Sequence, residues 1–231
     1  HRIVLAAGEY LWNRTLLKWQ DLLNNVLPLS DINIIRGGGG NVKPAGDAAE
    51  EKLADLVRQA KRGSREAFME LYKLFYHELY AYASYMLRHP QDAEDVVSDT
   101  IVAAFESIGK LRDVYRFRQW LFKILSNQCK KRRKSYAERN RRHILDFPGE
   151  EQKDVFSGVS DGRDMEKEAT DREWIRQAFE TLSEEERYIV NSFLFGGYRG
   201  DEIAQSLGIG SGTLRSKYRR ALAKMKKKLD E

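Results

Sequence analysis

The chain has 231 residues, 42% of them hydrophobic and 32% charged, with a net charge of +5 and a single cysteine, Cys129. That is room for one large domain or two small ones. It excludes an internal disulfide framework and suits a reducing cytoplasm, and no apolar run in the sequence is long enough to cross a bilayer.

In chain order, residues 1–41 come first. They hold an amphipathic stretch with Leu16, Trp19, Leu23 and Val26 at helical spacing, then the four glycines Gly37 to Gly40. "RGGGGNV" reads as a translated ribosome-binding site: GGA before another glycine codon spells GGAGG, and Val42 is encodable by GTG, a bacterial start. On that reading residues 1–41 are non-native upstream translation; the alternative is an appended peptide on a flexible glycine linker.

From Glu50 onward the pattern is helical. Leu53, Leu56, Val57 and Ala60 recur at three- and four-residue steps. "KRGS" interrupts them, and Ser64 is placed to cap the next helix. That helix aligns Phe68, Leu71, Tyr72, Phe75, Leu79, Tyr82 and Ala83 as a core stripe, and His89-Pro90 ends it. Asp92 opens a third helix with Val96, Val97, Ile101, Ala104, Phe105 and Ile108 on its apolar face, stopped by Gly109. After the loop "RDVYR", Phe117, Trp120, Leu121, Ile124 and Leu125 form a buried face, leaving Arg118, Lys123, Asn127, Lys130 and Lys131 outward.

Ser135 to Asp171 has no sustained period and carries turn-like "FPGEE" and "SGVSDGRD". A second helical unit begins near Thr170 with Trp174, Ile175, Ala178, Phe179 and Leu182, followed by a capping box at Ser183 and Glu186. In "GDEIAQSLGIGSGTLRSKYRRALAKM", Ile203, Ala204 and Leu207 face inward, Gly208 turns the chain, Ile209 plugs the corner, and Leu214 and Tyr218 anchor the next helix. This is helix-turn-helix spacing. The groove-facing positions are Gly212, Thr213, Arg215, Ser216, Arg219 and Arg220.

Charge is laid out unevenly. Lys130 to Arg142 holds eight basic residues and one acid; Leu214 to Lys228 holds eight and none; Asp146 to Asp171 between them holds nine acids and three bases. Two basic patches with an acidic connector fit a polyanion gripped at two places. No nucleophile-base pair, carboxylate pair or phosphate loop is present, so an enzyme is not indicated. The histidines His1, His77, His89 and His143 lack metal-ligand spacing, and no metal or cofactor is expected.

"LVRQAKRGSREAFMELYKLFY", "DAEDVVSDTIVAAF", "RFRQWLFKILSN" and "LSEEERYIVNSFLFGGYRGDEIAQSLGIGSGTLRSKYRRALAKMKKKL" resemble, in order and spacing, bacterial sigma factors of the extracytoplasmic-function type (group 4 of the sigma-70 family). The resemblance implies an all-α protein: a region-2 domain over 42–136, a flexible linker over 137–169, and a region-4 helix-turn-helix domain over 170–231. It implies that Asp92, Asp95 and Asp99 meet the polymerase clamp. Arg112, Tyr115, Arg116, Asn127, Lys130 and Lys131 would hold the melted −10 element, and Ser211, Gly212, Thr213, Arg215, Ser216, Lys217, Arg219 and Arg220 would read the −35 duplex. Implied partners are core RNA polymerase at its clamp and flap, promoter DNA and an anti-sigma factor, with no small-molecule substrate and a cytoplasmic location. Two positions depart from the family pattern. Lys131 stands where an acid is frequent, and Gly210 where a serine cap is frequent, so Ser211 is expected to take over the cap. The alternative is a helix-turn-helix regulator acting without core polymerase, which leaves "DAEDVVSDT" and "RFRQWLFKILSN" as coincidence.

Overall fold

The computed structural model describes residues 47–141 and 174–229. The expectations for residues 1–41 and for the connector beyond Arg141 fall outside them. Among the described residues all regular structure is helical. One group comprises α1 (Asp47–Lys61), α2 (Arg65–Leu87), α3 (Pro90–Ser107) and α4 (Phe117–Arg141). The other comprises α5 (174–180), α6 (Glu184–Leu194), α7 (Gly200–Leu207) and α8 (Ser211–Leu229).

Local sequence sets the boundaries. The Ser64 hydroxyl accepts from the Ala67 amide at 3.1 Å and starts α2. Arg88 ends it in the left-handed region at φ 61°. Pro90, not Asp92, is the first residue of α3; its missing N–H costs nothing there. That helix closes at Ser107, and Gly109 sits in a 3-10 turn, Ile108–Lys110, instead of acting as a left-handed stop. The capping box forms as expected: Ser183 N donates to Glu186 at 2.9 Å, and Glu186 N to the Ser183 hydroxyl at 3.3 Å. Gly208 adopts φ 66°, which turns α7 into α8 at no steric cost.

α2 is the central helix. It packs on α1, α3 and α4 and also, across the two groups, on α6. This explains a difference from its predicted stripe. Besides Phe68, Leu71, Phe75, Leu79, Tyr82 and Ala83, it buries Leu74, Glu78, Tyr80, Ala81 and Met86, because a second side is covered. α3 differs the other way. Val96, Val97, Ala104 and Ile108 are buried, but Phe105 is 47% exposed and only leans edge-on against Phe68, 5.0 Å between ring centroids. α4 buries Phe117, Leu121 and Leu125 as expected and Phe122 as well, while Trp120 and Ile124 are half-buried.

Phe122 meets Tyr82 edge-on at 5.7 Å and has no exposed surface to speak of. Phe122→Ala is expected to cost about 3–5 kcal/mol through lost burial and the cavity left behind, measured as a lowered urea midpoint with an unchanged m-value.

Candidate DNA-binding and polymerase-docking surfaces

The helix-turn-helix is built on α6. The apolar side of α8, Leu214, Tyr218, Ala221 and Met225, is buried, with Tyr218 and Phe193 rings 4.6 Å apart. Two consecutive glutamates of α6 hold its flank: Lys217 donates to Glu185 at 2.6 Å and Lys224 to Glu186 at 2.8 Å. Burial raises the Glu186 carboxyl's pKa, but hydrogen bonds from Lys224 and from Ser183 outweigh it and bring the carboxyl below its ordinary value. The opposite side of α8 is exposed and carries Ser211, Gly212, Thr213, Arg215, Ser216, Arg219 and Arg220. Arg215 and Arg219 have no ion pair or side-chain hydrogen bond among the described residues. Lys217 is the exception in the predicted set; its ammonium is committed to Glu185. Ser211 is already the first residue of α8, and the Gly210 carbonyl accepts from the Leu214 amide at 3.0 Å. The cap is therefore Gly210, not Ser211, and the first turn has no capping side chain competing for its amides.

The loop before α4 is fixed from below by α1. Asp113 accepts from the Tyr115 amide at 3.0 Å and starts a 3-10 turn, Val114–Arg116. The Tyr115 hydroxyl donates to Glu51 at 2.9 Å and accepts from Arg58 at 3.1 Å. The Arg58 guanidinium carbon lies 5.8 Å from the Tyr115 ring centroid, and Lys61 donates to the Leu111 carbonyl. Tyr115 and Arg112 are exposed. Hydrogen bonds from Arg58 and then from Tyr115 hold the Glu51 carboxyl below its ordinary pKa, and the bond to Glu51 raises the Tyr115 phenol.

Along α4, Asn127, Lys130 and Lys131 are exposed. Asn127 lies about 16 Å from the loop at ~1.5 Å per residue, so the predicted −10 residues form a track, not a single pocket. Two of them already have neighbours: Arg116 pairs with Glu202 of α7 at 3.3 Å, and the Lys130 ammonium sits 4.6 Å from the Tyr188 ring centroid. Arg118 is not outward. It bonds Glu78, itself 1% exposed, and donates to the Phe195 carbonyl at 2.7 Å.

On α3, Asp95 and Asp99 are exposed, but Asp92 is 5% exposed. It accepts from Tyr136 and is held by Arg132 at 2.9 Å, so it fastens α3 to α4 and presents no charge to a partner. Asp99 has no partner among the described residues. Beside it stand the exposed apolar side chains Val102, at 58%, and Phe105, with Met69 of α2 also exposed.

The sequence reading missed Glu51, Arg58, Lys61 and Glu78. A glutamate inside the apolar run of α2 was the one available signal, since a carboxylate there is buried only if paired. The others act across 50 or more residues of sequence. Among the described residues no group of His, Cys, Asp or Glu could hold a metal ion, and no helix is long and apolar enough to cross a membrane.

Residues 71–139 match the family Sigma-70 region 2, and residues 172–225 match Sigma-70, region 4. The RNA polymerase sigma factor NccH of Alcaligenes xylosoxydans xylosoxydans is 30% identical over 174 residues, 74% of this chain and 90% of NccH. The ECF RNA polymerase sigma factor SigM of Mycobacterium tuberculosis is 26% identical over 180 residues, 78% of this chain and 86% of SigM. A solved structure of CnrH in complex with the cytosolic domain of CnrY aligns with 77% of this chain and 97% of that chain, at 23% identity and a TM-score of 0.49. The chain belongs to the sigma-70 family, in its extracytoplasmic-function (ECF) group, and acts in transcription initiation by RNA polymerase.

The Tyr115–Glu51 contact carries a pH signature. Its Glu51 contribution is fully present above the ordinary carboxylate range and is lost as pH falls through the lowered folded pKa. Its Tyr115 contribution is fully present below the ordinary phenol range and is lost as pH rises through the raised one. The Tyr115 ring resonances, followed by NMR, are expected to report an acid midpoint that is lower in the wild-type chain than in Arg58→Ala.

Proposed function

We propose that the chain directs core polymerase to promoters by reading a −35 duplex with α8 and holding a melted −10 strand along the Arg112–Phe117 loop and α4. The observation that carries this is the division of α8 into two sides. One is locked onto α6 by packing and by the Lys217 and Lys224 ion pairs. The other leaves Arg215, Ser216, Arg219 and Arg220 exposed at the mouth of a helix whose first-turn amides have no side-chain cap. Arginine reads guanine edges bidentately, and uncapped amides suit phosphate. For the −10 strand, the exposed Tyr115 offers a stacking face and Arg112, Arg116, Lys130 and Lys131 neutralise backbone charge. Asp95 and Asp99 flanking Val102 and Phe105 suit a basic partner with an apolar centre, which we assign to the polymerase clamp. Family membership supports an anti-sigma factor as the partner that withholds the chain from polymerase.

Arg215→Ala or Arg219→Ala is expected to weaken binding to a cognate duplex by about 1–3 kcal/mol if the residue grips a base edge. Lys226→Ala should lower affinity for all duplexes alike and flatten the salt dependence. Fluorescence anisotropy on cognate and scrambled duplexes distinguishes the two; unchanged selectivity in both arginine variants would refute the groove assignment.

Asp99→Arg is expected to impair core binding in a pull-down while far-UV helicity is kept. A regulator that acts without polymerase would bind no core in any form, and normal core binding by Asp99→Arg would remove the α3 surface from the docking site.

A further inference from the structure

Arg187 follows the capping box at the start of α6 and is 8% exposed. A guanidinium buried that far is almost always paired. Arg187 is not. Its side chain has no ion pair or hydrogen bond among the described residues, and its Nε is buried without a partner. Burial first, and then the nearby Arg88 and Arg133, push its pKa down to about 10; Glu184 and Glu180 oppose this only in part. At neutral pH the side chain is still a cation.

The acids around it are already engaged. Glu184 pairs with Arg133, and the Glu180 carboxylate pairs with Arg176. Arg88, just past the end of α2, donates to the Glu180 backbone carbonyl at 2.9 Å, which is a neutral acceptor, and has no carboxylate of its own among the described residues. One turn beyond Arg187, and so on the same side of α6, Asn191 is fully buried with neither its amide oxygen nor its nitrogen bonded. A water serves an amide. It does not offset the charge of a buried guanidinium.

Cations carried by α2, α4 and α6 are thus brought together with less negative charge than they need. We propose that Arg187, with Arg88 and Arg133, forms a binding site for a small tetrahedral oxyanion of the phosphate class. The chemistry selects among anions. A guanidinium offers a planar fork of N–H donors that fits two oxygens of one phosphate, and forks from three helices suit a tetrahedral set of oxygens better than the two of a carboxylate. The burial of Arg187 excludes a polymer, since no nucleic-acid strand reaches a side chain so covered. None of the three arginines belongs to the DNA-reading or clamp-docking residues assigned above, so the site stands apart from those assignments.

The test uses the full chain and inorganic phosphate. Thermal unfolding in phosphate should occur at a higher temperature than in sodium chloride of equal ionic strength, because a ligand bound by the folded chain alone stabilises it by mass action. Sodium acetate should give no shift beyond that of chloride. Phosphorus NMR line broadening measures the binding directly. Arg187→Gln and Arg88→Gln should each weaken it at least about tenfold, the loss expected for one charge-assisted hydrogen bond. Arg187→Gln removes an unpaired buried charge, so in chloride it should melt no lower than the wild-type chain. Arg88→Gln, at a half-buried position, tests the same point without touching the core. Arg62→Gln, an exposed arginine at the other end of α2, about 35 Å away at ~1.5 Å per residue, should bind phosphate as the wild-type chain does. A melting temperature that follows ionic strength alone overturns the site. So does phosphate binding unchanged in both Arg187→Gln and Arg88→Gln, or an equal loss in Arg62→Gln. Acetate acting as well as phosphate overturns the choice of ligand.

Discussion

Arg118 leaves the first turn of α4 and enters a slot between Phe75 and Phe122, its guanidinium carbon 5.6 and 5.5 Å from their ring centroids. There it neutralises Glu78 of α2 and donates to the Phe195 carbonyl at the end of α6. Three helices from two domains are registered by this one side chain. Such a pair is weak evidence for net stability, because desolvating both charges offsets their attraction. Its role is positional. Removing Arg118 would take the cation from the buried Glu78 carboxylate, a change that costs up to about 3–5 kcal/mol for a buried pair, so the arrangement of α2, α4 and α6 is specified. The aromatic walls favour arginine over lysine here, since a planar guanidinium stacks and forks at once.

From that register follows the placement of the candidate surfaces. α4 fixes the loop at its N-terminal end, presents Asn127, Lys130 and Lys131 along its length, and ties down α3 through Arg132 and Asp92. α6 holds α8 on one side and meets α4 on another. On the exposed side of α3, Asp95 shares the Arg132 guanidinium of α4 at 3.2 Å, while Asp99 has no partner among the described residues.

Helical periodicity made the elements legible, because it depends only on neighbours three and four residues away. The Ser64 cap, the Ser183–Glu186 box, the Gly208 turn and the exposed side of α8 were all readable for that reason. What was not readable depends on which element covers which face. Arg118 was assigned outward because it lies off the apolar stripe of α4, and α6 covers that flank. Phe105 continues the stripe of α3, but among the described residues it meets only the edge of Phe68 and stays 47% exposed. Asp92 was read as a presented charge; its burial follows from Arg132 and Tyr136, 40 and 44 residues away. The Tyr115 anchor escaped notice because Glu51 and Arg58 look like ordinary solvated helix charges in sequence. The resemblance passes the cap from Gly210 to Ser211, whereas Ser211 is already helical and the Gly210 carbonyl accepts the first helical bond.

The three acids Glu184, Glu185 and Glu186 look interchangeable in the sequence. In the fold each points about 100° from the last, and each meets a different cation: Arg133, Lys217 and Lys224. The run therefore stores phase, not composition. Shifting it by one residue relative to the rest of α6, through an insertion or deletion between Glu186 and Ile189, would leave the local charge untouched while sending every carboxylate to the wrong neighbour. Length changes inside the first turns of α6 are thus far more disruptive than exchanges of one acid for another.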